Sequence, residues 1–375
     1  MRIYVTTQGA RITREGRHLL VKCGQDIHKT IFIHKVDQLL LCGNIQLTPS
    51  ARNMLFRSGI DTVFLTRDGR YMGRFSIPEQ KNIILRRKQF TLLDDNSFCL
   101  DFARQIVFGK LANLSTVLMR IHRKKKKDHI AHKAKKIRKI GHHITSAKTV
   151  DSLRGYEGQG SALYFSLFNS GFDRDQGFTR RVRRPPTDPV NALLSLLYTF
   201  LYNQVYSAIR QAGLDPYIGA LHTPDYGRYS LVLDLMEEFR PILVDTLVLA
   251  LFNMNILKSD VDFRLLREED QEEELAEVHL ENKEPENEFF DVPVQQVEEV
   301  FTIPSEGVAG RFPVQLKPEA MKKVIVQWER KLATVFLYEP EERKISWSEA
   351  IVCQARRYRR YVEGSLNRYQ PLLLR

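Results

Sequence analysis

DPVNALLSLLYTFLYNQVYSAIRQA, residues 188–212, is the stretch that decides the fold class. Its apolar residues return at three- and four-residue spacing, which marks one face of a helix. Asp188 is a capping residue type, and Pro189 follows at the first helical position, where a fixed φ and a missing N–H cost nothing. Working outward, the same period runs through Leu100–Arg120, Gly160–Leu167, Ser230–Asn253 and Pro318–Leu337, and residues 340–368 look like a last, Arg-rich helix. Toward the N-terminus the pattern changes. Arg2–Thr7, Leu19–Cys23, Thr30–His34, Gln38–Leu41 and Thr62–Thr66 are short β-branched or apolar runs separated by turn material such as Arg14-Glu15-Gly16 and Arg67-Asp68-Gly69. One helix, capped by Thr48 or Ser50, spans Thr48–Ser58 with Met54 and Leu55 inward. The expected class is α+β: a small β-rich domain over residues 1–84, then a larger all-α domain over 85–375, joined through SIPEQKN (76–82).

The chain has 375 residues, 43% hydrophobic and 27% charged, as in a soluble globular protein. It lacks an apolar run of membrane-spanning length and opens without a signal-peptide core, so a cytoplasmic location with no membrane partner is expected. Cys23, Cys42, Cys99 and Cys353 form no C-x-x-C pair, which argues against structural zinc or a disulfide framework. The formal charge of +12 points to a polyanionic partner. That charge is unevenly placed. Residues 120–148 hold twelve Lys/Arg against Asp128 alone, net +11, whereas residues 268–299 hold fourteen acids against Lys283, net −13. Residues 268–311 read as an acidic insertion, either solvated and disordered, a docking surface for a basic partner, or an internal mimic of DNA.

Three clusters of polar residues interrupt apolar sequence. Glu157 opens the helical part of LRGYEGQGSALYF (153–165). His222 ends an apolar run in GLDPYIGALHTPDYGRYSLVLDLMEEFRP (213–241), before a turn through Pro224 and Gly227. Asp234 and Glu237 stand three apart on the helix that follows and so share a face; Glu238 is the poorer inward candidate beside Leu233, Met236 and Phe239. Carboxylates with one imidazole suit Mg²⁺ or Mn²⁺ with positions left for water and phosphate oxygens. Taken singly, each residue also has an ordinary structural use: a helix-start acid, a turn histidine, a solvated acid pair. The run HRKKKKDHIAHKAKKIRKIGHH (122–143) and the shorter TRRVRRPP (179–186) are the electrostatic footprint. Lys124, Lys125, Lys126 and Lys127 in the first, with Arg180, Arg181, Arg183 and Arg184 in the second, are the candidate phosphate contacts, which would neutralise the backbone without reading sequence.

The segments LRGYEGQGSALYF, RRPPTDPVNALLSLLYTFLY (183–202) and GLDPYIGALHTPDYGRYSLVLDLMEEFRP, with GNIQLTPSARNMLFRSGIDTVFLTRDGRYMGRF (43–75), closely resemble the CRISPR-associated spacer-acquisition integrases, the first Cas protein family. The resemblance covers nearly the whole chain. It implies an N-terminal β-domain that supports a homodimer and a helical domain bearing the metal. Glu157, His222 and Glu237 would be the ligands, with Asp234 beside them as a fourth catalytic residue. The implied activity joins a protospacer 3′-hydroxyl to a CRISPR repeat by transesterification, alongside metal-dependent DNA cleavage. The implied partners are double-stranded DNA and the small second Cas protein. The chain departs from the family pattern where Phe263 and FPVQL (312–316) stand some fifty residues apart; the intervening insertion serves a further adaptation protein or nothing. Two other readings of the same residues stay open: a structure-specific repair nuclease, and a DNA scaffold whose acids are structural.

Overall fold

The computed structural model describes residues 1–24, 26–75, 82–182, 185–222, 225–265 and 313–374. It opens with strands β1 (Arg2–Val5), β2 (Arg11–Glu15), β3 (His18–Cys23), β4 (Asp26–Phe32), β5 (Gln38–Cys42) and β6 (Gln46–Leu47), then helix α1 (Pro49–Arg57), β7 (Asp61–Leu65) and β8 (Tyr71–Arg74). Two four-stranded sheets result. One runs β1-β5-β7-β8, the first three strands parallel and β8 antiparallel; the other runs β4-β3-β2-β6. Side chains of successive strand residues point to opposite faces. In β5 this sends Leu39 and Leu41 into the core shared with Ile12, Leu19 and Ile31, and Leu40 and Cys42 into the helical core. The uninterrupted apolar run QLLLC (38–42) is thus a strand buried on both faces. Thr48 caps α1 through its side chain, with Leu55 buried and Met54 packed at the core edge. β2 and β8, which carry charge or glycine, and β6, only two residues long, were not legible as strands.

The helical body begins at Ile83, two residues before its expected start at 85. Its helices are α2 (Ile83–Leu93), α3 (Asn96–Lys125), α4 (Asp128–His143), α5 (Val150–Phe168), α6 (Pro189–Gln211), α7 (Ser230–Met236) and α8 (Thr246–Asn253). After residues 266–312 come α9 (Pro318–Ala333) and α10 (Trp347–Glu363). Asp188 caps α6, its Oδ1 accepting from the Asn191 N–H at 2.9 Å. The sheet docks on this body through Arg2, whose guanidinium pairs both oxygens of Glu329 at 2.9 Å, and through a buried chain in which Gln204 donates to Gln38 and Gln38 to Asp61. The acidic insertion (268–311), Phe312, and Arg183 and Arg184 lie outside the described residues.

Two expected helices end early. Ser230–Asn253 is interrupted by a π-helical turn at Arg240–Asp245. Pro241 has no N–H to donate into the preceding turn, and the Thr246 N–H reaches back five residues to its carbonyl. Pro318–Leu337 stops at Ala333 because the β-branched and aromatic residues Val335–Tyr338 form β11, paired antiparallel with β12 (Arg343–Ser346). A second small ribbon joins β9 (Phe263–Leu265) to β10 (Val314–Leu316). The larger domain is therefore helical with two short β-ribbons. Among the described residues no helix is long and apolar enough to cross a membrane.

Candidate functional site

Glu157 lies about two turns into α5, which opens at Val150 rather than at Glu157 as expected; it is half-buried and faces the middle of α3. Lys110 on α3 reaches between two carboxylates: its Nζ donates to Glu157 Oε1 and stands 2.6 Å from Glu237 Oε2. Ser161, one turn further along α5, also donates to Glu157 Oε1 at 2.9 Å. Gly109 precedes Lys110 for a packing reason. A Cβ there would come within 2.4 Å of Pro371, so the glycine lets the C-terminal segment cross α3.

His222 sits on the loop between α6 and α7, and Asp234 on α7 builds that loop. Its buried carboxylate accepts the N–H groups of Ala220 (2.6 Å), Leu221 (3.0 Å) and His222 (2.9 Å), and His222 Nδ1 at 2.7 Å. An ionised carboxylate only accepts, so Nδ1 carries the proton and Nε2 is turned toward Glu237 Oε1, 3.9 Å away. Gly219 makes this wrap possible: a Cβ there would lie 2.5 Å from the Ser230 carbonyl carbon and 2.8 Å from Asp234 Oδ2. Arg154 on α5 donates to the Leu221 carbonyl at 2.7 Å and ties the loop to the helix that carries Glu157.

Glu237 is 2% exposed. Burial opposes its charge, but Arg240, Lys110 and His222 together overcome that and bring its pKa down to about 2. Lys110 shows the mirror image: burial works against the ammonium, and Glu237 and Glu157 outweigh it and hold its pKa above the ordinary lysine value. Glu238, next in sequence, points to the other side of the helix. Contrary to expectation it is fully buried, where it accepts from the Leu372 N–H (2.6 Å), Tyr369 Oη (2.8 Å) and Gln354 Nε2. Burial raises it to about 7. Two adjacent glutamates thus divide the work, one at the site and one pinning the C-terminal segment.

The residues expected from sequence, Glu157, His222, Asp234 and Glu237, are brought together; Lys110, Arg240 and Asp245 join them. Arg240 Nη2 is 3.4 Å from Glu237 Oε1, and its guanidinium lies 5.0 Å from the Tyr198 ring centre, the Arg181 guanidinium 5.4 Å from it. Tyr198 donates to buried Asp245 at 2.7 Å, and burial raises Asp245 to about 6. A lysine amid the apolar stretch of α3 was the one readable signal for Lys110. Asp245 gave none, because the π-helical turn that places it was not foreseen.

The donor set fits a hard divalent cation: two carboxylates and an imidazole, with one cation, the Lys110 ammonium, already held between the carboxylates. The Lys110 ammonium is the one donor among the described residues that meets Glu237 Oε2. Among the described residues, however, no three His, Cys, Asp or Glu side chains already surround a common point at metal-holding distance.

The basic tract is mostly α4. Ile130, Ala134, Ile137 and Ile140 pack inward, while Lys135, Lys136, Arg138 and Lys139 are exposed. The helix lies against α3 and α5: Ser115 donates to the Ala134 carbonyl at 2.9 Å, and a Cβ on Gly160 would touch Leu111 and Ile137. Lys126 and Lys127 are exposed at its start, whereas Lys124 and Lys125 both pair with Asp173, at 2.9 and 2.8 Å. Arg180 is exposed. Arg181 is tied inward, donating to Asn191 Oδ1 at 2.9 Å and Ser195 Oγ at 3.0 Å.

A family model described as CRISPR associated protein Cas1 matches residues 3–271. A CRISPR-associated endonuclease Cas1 from Rhodospirillum rubrum is 37% identical over 278 residues, covering 70% of this chain and 79% of the relative. A solved structure described as a casposase bound to integration product has a TM-score of 0.76 at 18% identity over 98% of this chain and 92% of that one. A chain of a Cas6-RT-Cas1–Cas2 complex also gives a TM-score of 0.76, at 24% identity, over 99% of this chain and 36% of that one. The two structures share the fold described above.

Proposed function

Because the chain belongs to the Cas1 family of CRISPR-associated proteins, we propose that it is the integrase and endonuclease of CRISPR adaptation, joining a protospacer 3′-hydroxyl to the repeat of a CRISPR array. The observation that carries this is the convergence of Glu157 and Glu237, from separate elements, on the buried Lys110 ammonium, with His222 Nε2 turned toward Glu237 Oε1 at 3.9 Å. Glu157, His222 and Glu237 would hold Mg²⁺ or Mn²⁺, which when bound would make a hydroxyl a better nucleophile and offset charge at phosphorus. The protein's own groups do the rest. Asp234 fixes the loop and the tautomer of His222, so that Nε2 is the nitrogen offered. Arg240 and Lys110 keep Glu237 ionised although it is buried. The joining is a direct transesterification, and no covalent protein intermediate is needed. The protospacer 3′-oxygen, giving up its proton, forms the new bond to the phosphorus that stays on the repeat's 5′-oxygen, as the bond from that phosphorus to the flanking nucleotide's 3′-oxygen breaks and that oxygen leaves as a 3′-hydroxyl.

Double-stranded DNA, as protospacer and repeat, is the substrate in this reading. Lys126, Lys127 and Arg180, exposed as they are, suit phosphate contact; Lys124, Lys125 and Arg181 would serve it only by giving up the partners described above. Arg183 and Arg184 complete the candidate set. A homodimer through the β-rich domain (1–84) and a complex with the small second Cas protein complete the assembly, a partnership supported by the Cas1–Cas2 composition of the matched complex. The acidic insertion is a candidate contact for a further adaptation protein. Incubation with a 3′-hydroxyl duplex and a repeat-bearing plasmid tests the activity: covalently joined product is expected. Cleavage without joining would make the protein a structure-specific nuclease instead.

A further inference from the structure

Lys110 has no place in the reading above beyond its charge, yet it occupies the centre of the site. It is 8% exposed, on the middle of α3, the longest helix among the described residues, and its one ammonium serves two carboxylates from two other elements. A buried lysine is retained at a cost unless its charge is matched, and here the matching groups are the candidate ligands themselves. Among the described residues, no other hydrogen-bond donor satisfies Glu237 Oε2. Ser161 and Arg240 reach only the other oxygen of each pair or share the same one as Lys110, so neither can replace the ammonium between Glu157 and Glu237.

We propose that Lys110 is the internal counter-ion of the metal-free site: it holds Glu157 and Glu237 together before a divalent ion arrives, and that ion binds by exchanging with the Lys110 ammonium. The proposal rests on the reading that these carboxylates hold the metal. Two consequences have opposite signs. Without Lys110 the site is one unit more negative, so a divalent cation is drawn more strongly into it. The same loss of positive charge makes the loaded site poorer at attracting a phosphodiester. At the short range and low exposure seen here a unit charge matters greatly, and about a tenfold change or more in each affinity is expected. If ordering the two carboxylates outweighed the competition of the ammonium with the metal, the pattern for the metal would be reversed, since the loss of Lys110 would leave Glu157 and Glu237 misplaced and weaken ion binding.

The test is Mn²⁺ titration by calorimetry on the full chain, comparing wild type with Lys110→Met and, in case the apolar variant fails to fold, Lys110→Gln. Mn²⁺ affinity should rise about tenfold or more, and binding of a non-hydrolysable duplex at saturating Mn²⁺ should fall. Unchanged or weaker Mn²⁺ binding in the folded variant overturns the counter-ion role. Glu157→Gln in the wild-type background separates the two layers. If it leaves Mn²⁺ binding intact, the metal site itself is misassigned; if it weakens binding while Lys110→Met does not tighten it, only the role of Lys110 falls.

Discussion

Glu238→Gln should make the protein more stable in alkaline solution and change little in mild acid. The folded protein holds this carboxyl at about 7 against an ordinary 4.5, burial being the first cause. A carboxyl raised in the folded state contributes stability that is complete below 4.5 and is lost as pH climbs through 7. At about 1.4 kcal/mol per pH unit the whole displacement amounts to about 3 kcal/mol, of which about 2.5 kcal/mol falls between pH 5 and pH 8. Glutamine matches the protonated acid in shape; it keeps an oxygen for the Leu372 N–H and an amide to face Tyr369. Urea unfolding of wild type and variant at pH 5 and pH 8 gives the contrast directly. The variant should gain about 2.5 kcal/mol on wild type between the two pH values. Asp245, raised to about 6, titrates in both proteins and cancels in the difference. Glu237 does not intrude: lowered to about 2, it contributes above 4.5 and is lost only as pH falls through 2. Parallel stability profiles would show that the folded state does not hold Glu238 protonated, and the account of its burial would fail.

Neutralising Lys135, Lys136, Arg138 and Lys139 together to Gln should weaken DNA binding and lower the salt dependence of its logarithm by about 3 to 4, near 0.9 for each phosphate no longer neutralised; an unchanged slope, read by fluorescence anisotropy across a salt series, would make the face of α4 merely solvated. Gly219→Ala should cost about 1–3 kcal/mol in thermal or urea unfolding and abolish joining, because the added methyl group meets the Ser230 backbone and Asp234; wild-type activity in that variant would mean that the His222 loop tolerates displacement.

The elements that carry the site could be read from local signals, whereas its ligand set came from the family resemblance, each residue taken singly having an ordinary structural use. Asp188 and Thr48 cap the helices their positions announce. Asp234 and Glu237 share a face because they stand three apart on one turn, and the spacing alone made one the neighbour of the other. What escaped was set by tertiary structure. The break in Ser230–Asn253 follows from Pro241, yet its π-helical form, and with it the placement of Asp245, depends on what the helix packs against. Glu238 read as the poorer inward candidate and is buried because the C-terminal segment folds over it. Lys110 stands 47 residues from Glu157 and could be paired with it only in three dimensions. Lys124 and Lys125 sit in a basic run, but Asp173, far along the chain, engages both.

The central claim is that Glu157, His222 and Glu237 hold the divalent ion on which DNA joining depends. Its most direct test measures bound Mn²⁺ and half-site joining in parallel for wild type, Glu157→Ala and His222→Ala, each shown to be folded and to bind duplex DNA. Both variants should lose joined product by about a hundredfold or more, with weakened Mn²⁺ binding. Full joining by either variant, with its bound Mn²⁺ unchanged, would contradict the account.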